Sequence, residues 1–415
     1  MKILPLGFLA VFVLALCAGM PTAHAGVADA PGADLQVSLI TYGPGAIYWE
    51  RFGHDAIEIR DTQDGQAITF NYGVFDFSQK DFLLNFARGV MRYSIDAEPA
   101  QSDIAYYIAA GRFVHREHLA LTPAQAASLR NFLLWNLQPG HRLYHYEYFK
   151  RNCATRVRDA LNQALGGALK AQLLQPSNHI TFRRETDRLM SAQPWLMLAL
   201  DLGLSGRADV PLNRWQAAFI PMQFMREMRR VRVPDDHGGT RPLVTSDQLV
   251  AAARLPAPPR EPPNLIAPLL IIGLVLGIIL AFTGHFRDTS RPAYTVFAVL
   301  GTLWLLFAGI AGIGMMILWA FTFHYTSWAN ENLFLFNPLA LLLIVGTWRR
   351  VPSRMVRVLA WLSLAAAVFA LIAKTLPGFD QQNLPWICFG VPPWLAMTWV
   401  LGKRGRLAAP RLAKA

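Results

Sequence analysis

Cys153 and His54 are the residues whose types and settings can do chemistry. The chain has three cysteines. Cys17 lies in an apolar leader and Cys388 in a C-terminal apolar stretch, which leaves Cys153 alone in the region between them. A lone cysteine is most often a small buried apolar residue. The setting Asn152-Cys153-Ala154-Thr155-Arg156 argues for more. Asn152 is a favoured helix N-cap, and Val157, Leu161 and Leu165 recur every four residues until Gly166-Gly167, which predicts a helix starting at Cys153. A thiol in the first turn meets unpaired N–H groups and the positive end of the helix dipole. With Lys150, Arg151 and Arg156 nearby, the expectation is a thiolate nucleophile.

Such a nucleophile needs a base, and histidine is the usual one. In Gly53-His54-Asp55-Ala56-Ile57-Glu58-Ile59-Arg60 the alternation predicts a strand that His54 opens. Asp64-Gly65 reads as a turn and Ala67 to Tyr72 as the returning strand. Asn71 on that strand is the first candidate to orient the imidazole, and Asp76 is the alternative. His115 with His118, and His141 with His145, have spacings that suit a metal on a helix, but neither pair has a carboxylate or thiol to complete a ligand set. We expect no metal and no cofactor.

The elements that position these residues belong to a chain of 415 residues, 53% hydrophobic and only 16% charged, which is too apolar for an ordinary soluble enzyme. Residues 1–25 read as a signal peptide, with Lys2, an apolar run and Ala23-His24-Ala25 as the cleavage site. Residues 26–252 have the composition of a globular catalytic domain. The run Leu255-Pro-Ala-Pro-Pro-Arg-Glu-Pro-Pro263 marks 253–264 as an extended linker. A membrane domain over 265–402 and a basic tail over 403–415 follow.

Five apolar segments lie near 266–284, 293–319, 332–348, 355–375 and 384–402, close to the roughly 18–20 residues a crossing needs. The third contains Pro338 and the fifth Pro392-Pro393, so kinks or a re-entrant path are open there. From Leu265 onward twelve Lys and Arg face three Asp and Glu, so most of the net charge of +12 sits beside apolar spans. The loops 285–292 and 349–354 and the tail are basic, whereas 320–331 and 376–383 hold no Lys or Arg. This alternation places the C-terminus in the cytoplasm and the globular domain on the far side. Lys374 is the one exception, and it can snorkel. Nucleic acid is excluded as a partner by where the charge lies.

Thr41-Tyr42-Gly43-Pro44-Gly45, Arg51-Phe52-Gly53-His54-Asp55-Ala56, Asn71-Tyr72-Gly73-Val74-Phe75-Asp76-Phe77 and Asn152-Cys153-Ala154-Thr155-Arg156, in this order, closely resemble the exported domain of the Lnb lipoprotein N-acyltransferase family. The resemblance runs over about residues 36–230 and takes in Asp201-Leu202-Gly203-Leu204 and Phe219-Ile220-Pro221. Trp328-Ala329-Asn330-Glu331-Asn332-Leu333 and Asn337-Pro338-Leu339 are similar to the family's membrane part. The order of His54 and Cys153 is also like that of circularly permuted papain-like thiol transferases such as lecithin retinol acyltransferase. The resemblance implies an α+β, permuted papain-like thiol-enzyme domain with a small antiparallel sheet. An all-α membrane domain of about five helices then follows, in the bacterial inner membrane with the catalytic domain in the periplasm.

It also implies the reaction. Cys153 takes a fatty acyl chain from a phospholipid as a thioester and passes it to the N-terminal amine of a diacylated lipoprotein, with His54 as proton carrier and Asn71 as the third residue. The outer loop with His324, Trp328, Asn330 and Asn332 is at a depth to help position substrate, or, for Trp328, to serve in an aromatic belt. A Cys–His pair serves hydrolysis as readily, so a periplasmic peptidase or amidase acting on cell-wall peptide or exported proteins is the main rival. A non-catalytic membrane scaffold is the second.

Overall fold

The computed structural model describes residues 32–235 and 237–402. The segment 1–25 expected to be a signal peptide, Cys17 within it, and the tail 403–415 lie outside the described residues. Packing divides the rest into two compact units that cut across chain order. Among the described residues, one holds 32–76, 92–175 and 213–256; the other holds 77–91, 176–212 and 257–402.

The first unit is built on a seven-stranded antiparallel sheet. Its strands are β1 (Leu35–Tyr42), β2 (His54–Asp61), β3 (Ala67–Val74), β4 (Arg92–Pro99), β5 (Val114–Leu119), β6 (Leu143–His145) and, after a separate two-stranded ribbon of β7 (Arg232–Pro234) and β8 (Thr240–Pro242), β9 (Val244–Ala251). The spatial order is β6-β4-β3-β2-β1-β5-β9, so β1, β2 and β3 are central. The expected β2–β3 hairpin is present, with Gly65 at φ +76° in its turn.

Both faces of the central strands are covered, because successive side chains alternate sides. Leu39, Ile57, Ile59, Phe70 and Tyr72 share a core with Leu129 and Leu133 of the Pro123–Leu137 helix and with Val157 and Leu161 of the Cys153–Ala164 helix. Ile40, Tyr42, Ala56 and Val114 pack instead with Ile104 of the Ala100–Ala109 helix. The fold is thus α+β with an antiparallel sheet, as expected.

The second unit is helical. Four of its helices are long and apolar enough to cross a membrane: Ile266–Phe286, Arg291–Phe321, Arg354–Thr375 and Leu384–Leu401. The third expected segment, near 332–348, is not a helix over its length. It consists of a 3-10 turn at Glu331–Phe334, an irregular stretch around Asn337-Pro338, and a short helix at Ala340–Thr347. Apolarity predicted burial there, but Pro338 has no N–H to continue a helix.

The segment nevertheless runs the length of the bundle. At one end Glu331 pairs with Lys374, whose Nζ also donates to the Gln381 carbonyl at 2.8 Å. At the other end Tyr294 Oη donates to the Trp348 carbonyl at 2.6 Å, and Arg287 Nη2 donates to the carbonyls of Arg349 and Arg350 at 3.1 and 2.6 Å. Non-helical backbone is tolerated inside an apolar bundle only when protein satisfies it. Here Trp394 Nε1 donates to the Leu335 carbonyl at 2.7 Å. Gly312 of the Arg291–Phe321 helix lets the Phe336 carbonyl approach so closely that a Cβ would stand 2.6 Å from its oxygen. Lys374 is ion-paired with Glu331 at the first of these ends.

Asn330 and Asn332 are buried. Asn330 Nδ2 donates to the carbonyls of Leu202, Gly203 and Leu204 at 2.9, 3.0 and 3.2 Å, and Asn332 Nδ2 to Leu202 at 3.1 Å. Their amides hold the C-terminal end of the apolar Pro194–Gly203 helix instead of facing a ligand. Arg183, also buried, reinforces the same region through Asp209 (Nε to Oδ1, 2.7 Å) and Asp201 (Nη1 to Oδ1, 2.5 Å), and Trp386 Nε1 donates to Asp201 Oδ2 at 2.7 Å.

Candidate functional site

Cys153 is the first residue of the Cys153–Ala164 helix. Asn152 caps it: its Oδ1 accepts from the Thr155 N–H at 2.9 Å while Thr155 Oγ1 accepts from the Asn152 N–H at 2.8 Å. Asn152 Nδ2 also donates to the Phe219 carbonyl at 2.8 Å, which ties the helix start to the Phe219-Ile220-Pro221 motif. The cap therefore fixes both the helix and the position of the thiol beside it.

Cys153 is half-buried, and the backbone N–H groups of Asp55 and Ala154 favour its thiolate form. The Asp55 N–H belongs to the peptide that joins it to His54, so the helix start and the start of β2 meet at one peptide unit. Gly73, at φ +95°, passes on the other side, and a Cβ there would sit 3.4 Å from Cys153 Cβ. The left-handed backbone and the close approach both call for glycine.

His54 Nε2 lies 2.9 Å from Asn71 Oδ1. Asn71 Nδ2 donates to Asp103 Oδ2 at 3.2 Å, and the same oxygen accepts from Tyr42 Oη at 2.6 Å. A carboxylate only accepts, so it turns the Asn71 amide nitrogen toward itself and the amide oxygen toward the imidazole. Nε2 then carries the proton, and Nδ1 is left as the basic nitrogen. Rings fix the imidazole plane. Tyr42 and Tyr107 stack at 3.6 Å between centroids, and His54 lies nearly parallel to both, at 5.9 and 5.8 Å.

The electrostatics correct the expectation of a thiolate. Burial pushes the Cys153 thiol up to about 12, the Asp55 carboxyl adding to the rise, against the opposing N–H groups of Asp55 and Ala154 and the cation Arg112. Burial also pulls His54 down to about 4, with Arg112 lowering it further and the Asn71 bond and Asp103 opposing. The resting pair is a neutral thiol and a neutral imidazole. Helix-start donors exist as expected, but in a desolvated site they do not outweigh the cost of a buried charge.

Lys150 and Arg151 are exposed, and Arg156 lies over the Tyr72 and Tyr144 rings at 5.2 and 5.0 Å, so the cation acting on the thiol is Arg112. Arg112 is buried over the Tyr107 ring at 4.5 Å, and its Nε donates to the Gly43 carbonyl at 2.5 Å. Its Nη2 is buried without a partner. The Asp55 side chain accepts from Thr41 Oγ1 at 2.7 Å, and burial raises its carboxyl to about 8.

The structure thus brings His54 and Asn71 into hydrogen bond and sets Cys153 against the backbone beside His54. Asp76, the alternative to Asn71, is exposed near the end of β3. Tyr42, Asp103, Tyr107 and Arg112 were not singled out in the sequence as site residues, although Tyr42 lies inside a quoted motif. His115 and His118 sit on β5, not on a helix, and bond to Asp247 and Ser38 on opposite faces. His141 stacks on Trp135 in a turn, and His145 ends β6.

Two family models match the chain: the Lnb N-terminal periplasmic domain over residues 24–187 and the Lnb transmembrane domain over residues 260–389. The first covers His54, Asn71 and Cys153; the second covers most of the long apolar helices. No curated protein and no solved structure matches it.

Proposed function

Because the chain belongs to the Lnb family, with a periplasmic domain and a transmembrane domain, we propose that it is a membrane-bound thiol acyltransferase acting on lipoproteins. The acyl donor is a phospholipid, the acceptor is the N-terminal amine of a diacylated lipoprotein, and Cys153, His54 and Asn71 form the catalytic group. The protein sits in the inner membrane with its C-terminus in the cytoplasm.

The observation that carries this reading is the His54–Asn71 hydrogen bond beside the capped Cys153 thiol. In the first half-reaction Nδ1 of His54 takes the thiol proton as the sulfur attacks the ester carbonyl. Backbone N–H groups at the helix start stabilise the oxyanion. The carbon–oxygen bond breaks, His54 returns the proton to the leaving lysophospholipid oxygen, and a thioester remains. In the second half-reaction the acceptor amine attacks the thioester, His54 removes its proton, and the sulfur leaves and is reprotonated. A neutral resting pair suits this sequence, since charge develops only when a carbonyl is present to receive it. Anchoring the site in a bilayer raises the frequency with which two lipid substrates meet it.

The test is incubation of the full-length protein with acyl-labelled phospholipid and a diacylated lipoprotein. Label in an amide at the lipoprotein N-terminus supports transfer. Peptide cleavage with no label movement supports the hydrolase instead, and neither reaction, together with an undiminished cellular effect of Cys153→Ala, supports the scaffold.

A further inference from the structure

Two short apolar helices that precede the linker in sequence pack within the membrane-spanning unit and leave large apolar side chains exposed. The first is Phe82–Arg88. It hangs from the end of the Arg291–Phe321 helix: the Phe323 N–H donates to the Arg88 carbonyl at 2.9 Å, and His324 Nε2 lies 3.1 Å from the Phe86 carbonyl. Gly89, at φ +73°, lies against Phe323 and His324 so closely that a Cβ would stand 3.2 Å from their backbone. Leu83 is 78% exposed, and Phe77, Leu84 and Phe86 are exposed beside it.

The second is Pro194–Gly203, held by Asn330 and Asn332 at the same end of the bundle, with Trp195 72% exposed. Trp319, Phe321 and Phe323, where the Arg291–Phe321 helix ends, are exposed as well. The apolar surface of the span therefore continues without a break onto the Phe82–Arg88 helix. A soluble surface does not leave such a patch open to water.

We infer that these two helices lie in the periplasmic leaflet, with their apolar side chains at the boundary between phospholipid headgroups and acyl chains. Length decides against a crossing, since 7 and 10 residues cannot span a hydrocarbon core. Composition fits an interfacial position: aromatic and leucine side chains form the apolar face, and exposed Lys80 and Arg88 flank the first helix where lipid phosphates lie. Continuity with the lipid-facing flank of the span identifies the occupant as lipid. Parts of the catalytic chain are thus seated in the leaflet, independently of what reaction the thiol performs.

The experiment uses the full-length protein in phosphatidylglycerol–phosphatidylethanolamine nanodiscs, with Cys17→Ser, Cys153→Ser and Cys388→Ser removing the native thiols. An environment-sensitive fluorophore is placed through Leu83→Cys, Trp195→Cys or, as the aqueous control on the β2–β3 turn, Asp64→Cys. The Leu83 and Trp195 labels are expected to emit to the blue of the Asp64 label and to be quenched several-fold more by spin-labelled phospholipid than by a water-soluble quencher. The Asp64 label is expected to show the reverse order. If the Leu83 and Trp195 labels behave as the Asp64 label does, the inference is overturned. Circular dichroism of each labelled protein confirms that the comparison is between folded molecules.

Discussion

His54 Nε2 sits 2.9 Å from Asn71 Oδ1, and this one hydrogen bond decides which imidazole nitrogen can act as a base. Asn71 is oriented in turn by Asp103, which Tyr42 also binds. Substitution His54→Gln is expected to lower kcat by about 10²–10⁴-fold with little change in KM, the range for loss of a positioned base. Asn71→Ala is expected to cost less, because the imidazole stays but its tautomer is no longer enforced. Steady-state acyl transfer of each variant measures both. A kcat for Asn71→Ala equal to that of the unaltered protein removes Asn71 from the site.

A neutral Cys153–His54 pair has a distinct pH signature. With the thiol raised to about 12, the thiolate fraction rises with pH throughout the range from 6 to 9. Iodoacetamide modification of Cys153 should accelerate about tenfold per pH unit there, with no plateau. An ion pair formed at rest would give a flat profile above about pH 5. For stability the sign follows from His54, lowered to about 4 from 6.5. Between these values the unfolded chain holds a proton that the folded one does not. Stability therefore falls as pH drops through this window and is unaffected by His54 above it. Urea denaturation at pH 5 and 7, compared between the unaltered protein and His54→Gln, isolates that contribution.

Arg112 acts on both members of the pair, favouring the thiolate and disfavouring the imidazolium. Arg112→Gln should move the Cys153 alkylation profile to higher pH and slow acyl transfer, whereas Arg112→Lys, which keeps the charge, should retain part of both. Loss of thermal stability with an unmoved alkylation profile would show that Arg112 only supports Gly43 and Tyr107.

Much of the local design was legible before the fold was known. Asn152 announced a helix cap, the four-residue spacing of Val157 and Leu161 gave the helix, and alternation over 56–60 gave β2 with His54 at its start. These signals are local. Asp103, Tyr107 and Arg112 reach the site from the Ala100–Ala109 helix and the turn after it, and no periodicity in sequence reports meetings such as Asp103 with Asn71, 32 positions apart, or with Tyr42, 61 positions apart. The ionisation of Cys153 was misjudged for the same reason. The helix start is visible in sequence, but the desolvation that overrides it comes from tertiary packing. The segment 332–348 departs from a continuous helix because apolarity reports burial and not helicity, and Asn337-Pro338 breaks the helix while its neighbours complete the backbone hydrogen bonds.

Gly73 tests the close fit around the thiol. Gly73→Ala places a Cβ 3.4 Å from Cys153 Cβ on a backbone at φ +95°. The strain should destabilise the domain by about 1–2 kcal/mol and lower kcat by displacing the sulfur. Thermal denaturation and kcat report the two effects separately. An unchanged kcat would mean that the sulfur position tolerates movement of β3.

The claim that Cys153 carries the acyl group is tested most directly by intact-mass analysis of the full-length protein after exposure to phospholipid with no lipoprotein present. The account predicts one added acyl mass on the peptide containing Cys153, removed by neutral hydroxylamine and by addition of a diacylated lipoprotein, and absent in Cys153→Ser. Transfer of acyl label to lipoprotein by Cys153→Ser, or transfer by the unaltered protein with no such adduct at any time point, would contradict it.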